Sequence, residues 1–194
     1  MFKELITKNR SMRRFDQSFR LGRKDLEDLV NLARLSPSAA NLQPLKYYLS
    51  WEPEENNRIF PHLAWAGYLK DWPGPVEGER PSAYIIVLGD TALASSFDID
   101  TGIASQSILL GAVERGLGGC MIGSIQREGL RKALSIPEQY KILLVLALGK
   151  PAEQVFLEDV GEGGDIRYWR DSQSGHHVPK RLLESIILTG NFEG

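Results

Sequence analysis

The stretch from Asp100 to Leu117 most constrains how this chain can fold, because it is apolar nearly all round and long enough for about five helical turns. Small residues are spaced along it: Gly102, Ala104, Ser105, Ser107, Gly111 and Ala112. A helix without a polar face has to be covered on all sides. In a chain of 194 residues, part of that cover can come from a second copy of the chain.

The overall composition is that of a globular protein, and we expect one domain spanning residues 1–194. Apolar residues make up 42% and charged residues 25%, which is ordinary for a soluble protein. A net charge of −2 gives no reason to expect a nucleic acid or an anionic membrane as a partner. The longest apolar run, 142–148, is too short to span a bilayer, and no signal peptide is evident. We therefore expect a cytoplasmic protein.

The few cysteine and histidine residues argue against a metal centre. A single cysteine, Cys120, excludes an internal disulfide and a multi-cysteine metal site, and its apolar setting favours a buried small residue over a nucleophile. His176 and His177 are adjacent, so their side chains point in different directions in a strand or a helix. Neither has a cysteine or histidine partner nearby in sequence, and we expect no metal site.

Helices and strands are mixed along the chain without strict alternation, which favours an α+β fold over a doubly wound parallel sheet. Leu26, Leu29 and Ala33 share one face of a helix over 24–35, and Pro37 bars its continuation. Continuous apolar runs predict strands at 46–51, 82–89 and 142–148, and a short helix is expected at 127–134. Residues 52–81 are irregular, 151–175 are expected to be loop, and 180–188 form a helix or a strand.

A compact group of hydrogen-bond donors lies near the N-terminus, at Arg10, Ser11 and Arg13. A guanidinium group donates two parallel hydrogen bonds to anionic oxygens, and the serine hydroxyl adds a third donor. This chemistry suits a phosphate group. A solvated basic run at the end of a helix accounts for the same residues, so the segment alone leaves both interpretations open.

The loop from Pro37 to Pro44 carries two carboxamides, on Asn41 and Gln43, behind small residues. A carboxamide pairs a donor with an acceptor and can match the polar edge of a pyrimidine-like ring. Ser38 and Ala39 would let the backbone approach a planar ligand. A plain turn after a helix also favours serine, asparagine and proline, and both interpretations stay open.

Two later segments are weaker candidates for ligand contacts. Residues 116–124 form a glycine-rich turn leading into a short apolar stretch, without the spacing of a dinucleotide-binding fingerprint. Lys180 and Arg181 could serve as further phosphate donors. Asp98 and Asp100 are best explained as acidic residues at a helix N-terminus.

Taken in order, these segments resemble the nitroreductase family of FMN-dependent oxidoreductases. That family carries a basic R-x-S-x-[RK]-x-F segment, then P-S-x-x-N-x-Q-P, then G-L-G-x-C-x-I-G, and a basic pair near the end. The corresponding segments here are 10–15, 37–44, 116–123 and 180–181, so the resemblance spans essentially the whole chain. It implies an α+β fold with a central mixed or antiparallel sheet flanked by helices. It also implies an intertwined homodimer with FMN at the interface.

The resemblance also implies which residues contact FMN. One subunit would contribute Arg10, Ser11, Met12 and Arg13 to the phosphate, the ribityl chain and the polar edge of the ring, with Lys180 and Arg181 reinforcing the phosphate end. The partner subunit would line the flavin with Pro37, Ser38, Ala39, Asn41 and Gln43. Backbone amides around Ile122, Gly123 and Ser124 would face the ring. Asn9 departs from the family, in which many members have arginine there, and this weakens that contact.

The activity implied by the resemblance is a ping-pong transfer of electrons from NAD(P)H through FMN to a small flat acceptor, such as a nitroaromatic or a quinone. No side chain is required as a general acid or base, so no catalytic residue is expected. Other flavin chemistry on the same fold (an oxidase, dehydrogenase or dehalogenase) and a non-catalytic flavin carrier are alternatives. The sequence chooses neither the acceptor nor NADH over NADPH. The aromatic segment 65–72 fits a substrate lid or plain packing.

Overall fold

The computed structural model describes residues 1–190 and divides them into two compact units. The larger unit contains Met1–Trp65 and Pro73–Ala152, and the smaller one contains Ala66–Trp72 with the chain from Glu153 onward. A single domain over 1–194 stays a prediction. Among the residues that the structure describes, no helix is both long and apolar enough to cross a membrane.

The larger unit is an antiparallel five-stranded sheet with helices, which confirms the α+β fold. In chain order its elements are α1 (Phe2–Lys8), β1 (Phe15–Asp16), α2 (Arg23–Leu35), β2 (Leu45–Ser50), α3 (Pro53–Ile59), β3 (Ala83–Asp90), α4 (Asp98–Glu114), β4 (Gly118–Ile122), α5 (Arg127–Leu134) and β5 (Tyr140–Pro151). The strand order is β1-β5-β3-β2, and β4 also pairs with β5. The long strand β5 therefore pairs with three strands, β1, β3 and β4.

The main core lies between the sheet and the helices α2 and α4. Leu26 and Leu29 of α2, Ile108 of α4, and Ile85 and Leu146 of the sheet are fully buried in one cluster. The burial of each such side chain contributes about 1.5–3 kcal/mol to folding. The apolar helix predicted at 100–117 is α4. Its buried face packs in this core, while Ile99, in its first turn, is 67% exposed.

Local sequence explains where α2 begins and ends. The Asp25 carboxylate accepts a hydrogen bond from the Gly22 N–H at 2.8 Å, which satisfies one free backbone donor at the start of the helix. The residue before a proline avoids the helical region, and Ser36, which precedes Pro37, is extended at ψ 157°. The predicted helix over 24–35 is thus confirmed to within one residue.

Two predictions for the larger unit were wrong. The glycine-rich segment 116–123 begins as a turn at Gly116, but residues 118–122 form the strand β4, in which Gly118 and Gly119 sit where neighbouring atoms leave no room for a Cβ. The irregular region 52–81 contains the helix α3, which starts at Pro53, a residue that favours the first position of a helix.

The smaller unit contains a three-stranded sheet of order β6-β8-β7, made of β6 (Val155–Val160), β7 (Trp169–Arg170) and β8 (His176–Arg181). The prediction of loop over 151–175 was therefore wrong. A single element over 180–188 was also wrong, since β8 ends at Arg181 and a short 3-10 turn follows at Leu183–Ser185. These strands are short, and their pairing is set by distant chain segments rather than by local periodicity.

His177 forms the centre of an aromatic stack in this small sheet. Its ring lies 4.1 Å from that of Trp169 and 5.2 Å from that of Phe156, its cross-strand neighbours on either side. One ring nitrogen lies 3.1 Å from the Asp171 carboxylate, and the other bonds to Glu158. The hydrogen bond with Asp171, and then the bond with Glu158, raise the pKa of His177 above its ordinary value against the opposing effect of burial.

Replacing His177 by glutamine should change stability in a pH-dependent way. The raised pKa means that the histidine's charged contacts stabilise the fold below the ordinary pKa of about 6.5, and that this contribution is lost as the pH rises through the folded value. The hydrogen bond with His177 also lowers the pKa of Asp171, so the contribution falls again in acid. We expect the Tm difference between wild type and His177→Gln to shrink steadily above about pH 6.5. A difference that grows towards alkaline pH would contradict this account.

Candidate functional site

The basic N-terminal segment lies directly beside β4. Ser11 forms a parallel bridge with Gly119, and the Met12 N–H donates to the Gly119 carbonyl at 2.9 Å. A Cβ on Gly118 would lie 2.9 Å from the Met12 side chain, so glycine is needed for this close approach. The segment containing Arg10 and Arg13 and the glycine-rich segment, which lie more than a hundred residues apart, are therefore brought together.

The side chains of the basic segment have different roles. The Arg10 Nη2 donates to the Ile6 carbonyl at 2.8 Å, while its Nε is buried without a hydrogen-bond partner, and burial lowers its pKa. The Arg13 Nη1 donates to the Ser11 carbonyl at 3.3 Å. Arg14 is engaged elsewhere, since its Nε donates to the Glu79 carboxylate at 2.9 Å. Within residues 1–190 only the Nη2 of Arg10 is bonded, so its Nη1 is the donor that a ligand could reach.

Asn9 is buried and has a structural partner. Its carboxamide nitrogen donates to the Gln106 side chain of α4 at 3.3 Å. The neighbouring Lys8 is exposed and pairs with Glu4 on α1. Asn9 therefore fixes the start of the basic segment to α4, and Lys8 faces solvent on the helix surface.

The residues at the end of β4 lie further along the same strand. Ile122 is buried opposite Val145, and Gly123 and Ser124 follow it in an exposed position. The Ser124 carbonyl accepts a hydrogen bond from the Ala64 N–H at 3.0 Å, and the Gly123 carbonyl accepts one from Arg127 at 3.3 Å. Ile122 is three residues from Gly119, or about 10 Å along a strand. The end of β4 therefore lies about 10 Å along the strand from the bridge between Ser11 and Gly119.

The loop between α2 and β2 has an unusual backbone. Ala40, Asn41 and Gln43 have φ values of 48°, 55° and 50°, in the left-handed region that side-chain-bearing residues rarely adopt. The Ser38 hydroxyl accepts a hydrogen bond from the Gln43 N–H at 2.9 Å and closes the loop. Such strain is typical of sites that hold a ligand.

Asp100 holds this loop against α4. Its carboxylate accepts a hydrogen bond from the Ala39 N–H at 3.2 Å, and the residue is 7% exposed. A cavity of about 160 Å³ lies alongside and is lined partly by Ser38, Gln43, Tyr47 and Asp100. Burial, reinforced by the Asp100 carboxylate, raises the pKa of Tyr47 to about 12, so its phenol stays neutral at physiological pH.

Within one chain the loop and the basic segment lie far apart. Gly119 pairs with Leu148 of β5. Leu45, at the end of the loop, pairs with Gly89 of β3, and Gly89 pairs in turn with Lys141 of β5. Seven residues along β5 correspond to about 23 Å, and the three strand spacings from β4 to β2 add about 14 Å sideways. A single chain does not bring these two predicted halves of the site together.

The remaining predicted residues lie in the smaller unit. Lys180 and Arg181 are exposed at the end of β8. The aromatic segment is divided: Trp65 is buried in the larger unit against Phe60, whereas 66–72 belong to the smaller unit. There the Tyr68 ring lies 4.8 Å from that of Tyr168. Trp65 therefore serves packing rather than a mobile lid.

Sequence reasoning missed the function of Asp100, because its pattern indicates only an acidic residue at the start of α4. Asp98 has that position and is exposed, but Asp100 bonds to a loop 61 residues earlier. The signal available in the sequence was the position of Asp100 two residues after Asp98, which places the two side chains on different faces of the helix. No pattern in the sequence indicates its partner.

Curated relatives match most of the chain. A protein from Archaeoglobus fulgidus is 28% identical over 78% of this chain and 86% of its own length. One from Methanothermobacter thermautotrophicus is 30% identical over 81% of each chain. Both carry the provisional name NADH dehydrogenase/NAD(P)H nitroreductase.

Solved structures share the fold. An FMN-dependent nitroreductase from Clostridium difficile superposes with a TM-score of 0.67 at 19% identity, over 97% of this chain and 98% of that one. A structure from Exiguobacterium sibiricum, described as a nitroreductase in complex with FMN, has a TM-score of 0.64 at 20% identity, over 79% and 89%. The model of the Nitroreductase family matches residues 6–150, which include the basic segment, the strained loop and β4. The chain belongs to the nitroreductase family.

Proposed function

We propose that this protein is an FMN-dependent oxidoreductase that moves electrons from NAD(P)H to a flat, electron-poor acceptor, such as a nitroaromatic or a quinone, in a ping-pong cycle. The observation that carries the proposal is the pairing of Ser11 with Gly119, because it sets Arg10 and Arg13 beside the strand that leads to Gly123 and Ser124. Family membership and the FMN named for a structural neighbour support the same cofactor.

The residues present fit FMN. Arg10 offers a guanidinium group of which only Nη2 is bonded within residues 1–190, and Ser11 is exposed and offers a hydroxyl group. Two guanidinium groups and a hydroxyl form a donor set suited to a phosphate monoester. Gly118 and Gly119 keep the backbone of β4 free of side chains where the segment crosses it. Lys180 and Arg181 stay candidates for further contacts with the phosphate.

Bound FMN would supply the redox chemistry, by accepting a hydride from the nicotinamide and passing electrons to the acceptor. The protein's part is to bind and orient. Arg10 and Ser11 would hold the phosphate and ribityl chain. The Arg13 guanidinium and the backbone amides near Gly123 would place positive charge near the polar edge of the ring, where negative charge develops. The small residues Ser38 and Ala39 would leave room for a flat ring.

The site requires two copies of the chain. The distance between the basic segment and the loop is explained if loop 37–43 of the partner subunit completes the site. An open apolar groove of about 430 Å³ between α1, α2 and α4 supports a dimer, and it is lined by Phe2, Leu32, Leu35 and Leu110 among others. Phe2 and Leu35 are 69% and 65% exposed, a large apolar surface for a protein without a partner. Sedimentation at twice the 21.7 kDa chain mass would support this dimer, and a monomer would refute it.

The first test is the visible absorption spectrum of the purified protein before and after anaerobic NADH or NADPH. A flavin spectrum that bleaches supports the reductase. Whichever of NADH and NADPH bleaches it faster is identified as the preferred electron donor. A flavin spectrum that persists favours other flavin chemistry or a carrier. A colourless protein that takes up no added FMN refutes the assignment. The cytoplasmic location and the physiological acceptor remain predictions outside this test.

Replacing Asp100 by alanine should weaken FMN binding by about tenfold, because a hydrogen bond to a charged acceptor holds the Ala39 backbone in place. Asp100→Asn keeps a side-chain acceptor and should retain most of the affinity. Asp98→Ala, on the exposed side of the same helix turn, is the matched control. Equilibrium ultrafiltration with FMN measures the three affinities, and equal values for Asp100→Ala and Asp98→Ala would contradict the role given to Asp100.

A further inference from the structure

A small polar cavity lies between β3, α3 and the turn that follows β1, and none of its lining residues belongs to the proposed flavin site. Its volume is about 120 Å³, enough for several water molecules or a small ion. The lining includes two arginines, Arg20 and Arg80, with Asn57, Glu77 and Tyr84. We propose that this cavity is a second binding site, for a small tetrahedral oxyanion of the phosphate class.

Arg80 is held in place by its surroundings. Its guanidinium lies 4.2 Å above the centre of the Phe60 ring, and its Nη1 is 3.0 Å from the Glu77 carboxylate. Its backbone N–H donates to the Gln17 side chain at 3.3 Å. The Nε of this arginine is buried and has no hydrogen-bond partner. A guanidinium held in a fixed position is well prepared to bind an anion.

Arg20 provides a second positive charge that is not committed elsewhere. Within residues 1–190 its side chain has no ion pair or hydrogen bond, and it is exposed at the mouth of the cavity. Arg23, by contrast, pairs with Glu27 at 2.7 Å. The cavity therefore has two guanidinium groups, of which one is free to move onto a ligand.

The neutral polar groups can donate hydrogen bonds to an anion. Tyr84 is 1% exposed, and burial raises the pKa of its phenol, so the hydroxyl stays protonated and can donate. The Asn57 amide is exposed at the cavity. Asn56, by contrast, is already used, because its amide nitrogen donates to the Ser82 carbonyl at 2.9 Å and its oxygen accepts from Ser50 at 2.8 Å.

The charge balance favours an anion. Glu77 is the one carboxylate in the lining, and it is 73% exposed while bonding to Arg80 and to Gln17 at 2.8 Å. Two guanidinium groups outweigh it. A tetrahedral ion with four oxygens matches both the volume and the spread of donors around the cavity. The Glu77 carboxylate should repel such an ion, so its removal should favour binding.

The test is isothermal titration of inorganic phosphate into the full-length protein, saturated with FMN so that any phosphate site used by the flavin is filled. We expect one phosphate per chain. Arg20→Gln should weaken its affinity by about tenfold, since a charge-assisted hydrogen bond is lost. Arg23→Gln, which removes an exposed arginine on α2, should leave the affinity unchanged. No binding to the wild type, or equal binding by Arg20→Gln and Arg23→Gln, overturns the proposal.

Two further variants distinguish an anion site from a general effect of charge. Glu77→Gln keeps the side-chain shape and removes the negative charge, and should tighten phosphate binding by about threefold or more. Tyr84→Phe removes only the hydroxyl and should weaken it. Thermal melting checks that each variant is folded. Phosphate affinity that is unchanged or weaker in Glu77→Gln overturns the charge argument on which the site depends.

Discussion

Replacing Arg10 and Arg13 together by alanine is expected to lower FMN affinity by about 100-fold or more, while the dimer stays intact. A hydrogen bond to a charged group contributes about 1.5–3 kcal/mol, and the double variant removes the charged donors on both sides of Ser11. Equilibrium ultrafiltration measures the retained FMN, and sedimentation reports the dimer. The effect should exceed that of either single variant.

The matched control removes the same positive charge elsewhere. Arg23 and Lys24 are exposed neighbours on α2, paired only within the helix to Glu27 and Asp28. Their double alanine variant changes the net charge by the same amount and should retain wild-type FMN affinity, so that a general electrostatic effect is separated from a local one. Unchanged flavin occupancy in the Arg10 and Arg13 variant would defeat the phosphate assignment.

Gly119→Ala is expected to destabilise the larger unit, because the added methyl group would meet backbone as well as side chains. The added Cβ would lie 2.6 Å from Leu109, 2.7 Å from the Ala147 carbonyl and 2.9 Å from Leu148. The carbonyl belongs to the β4–β5 ladder and cannot move without breaking strand pairing. Overpacking of this kind costs about 1–3 kcal/mol, or roughly 3–10 °C in Tm for a chain of this size. The Ser11 bridge should loosen with it and FMN affinity should fall.

Gly161→Ala is the control for that variant, because no atom lies within 4 Å of the place that the added methyl group would take, and the φ of Gly161 is not in the left-handed region. Calorimetry and FMN ultrafiltration on both variants provide the comparison. If Gly119→Ala has the same Tm and the same FMN affinity as the wild type, then β4 tolerates a side chain at this position and the close approach of the strands is not required.

The elements that could be predicted from the sequence are those in which the burial of each residue leaves a regular pattern of apolar positions. The face of α2 formed by Leu26, Leu29 and Ala33 is buried as its periodicity indicates. The continuous apolar character of β3 reflects burial on both faces of the sheet. By contrast, β7 is two residues long and half of β6 is exposed, so neither has a local pattern to detect. β4 was mistaken for a turn because glycine signals both a bend and a close approach.

For the candidate site, the sequence identified the segments but not their arrangement. The donors at Arg10 and Ser11 could be recognised from their chemistry. Their position beside Gly119 depends on a contact across more than a hundred residues, which only the folded sheet defines. The contact between Asp100 and Ala39 is of the same kind. Long-range pairs of this type leave no local pattern in the sequence. The family resemblance indicated only the order in which the segments occur along the chain.

The left-handed backbone at Ala40, Asn41 and Gln43 links flavin occupancy to the lifetime of the protein. Each such residue costs about 1–3 kcal/mol, and the loop's own hydrogen bonds, such as that from the Gln43 N–H to the Ser38 hydroxyl, offset part of this cost. On the proposed assignment, the flavin and the partner subunit supply the rest. Without the cofactor, this exposed loop would be a preferred site of proteolytic cleavage. A shortage of flavin would then lead to degradation of the FMN-free enzyme, beginning with cleavage in the loop that binds the cofactor.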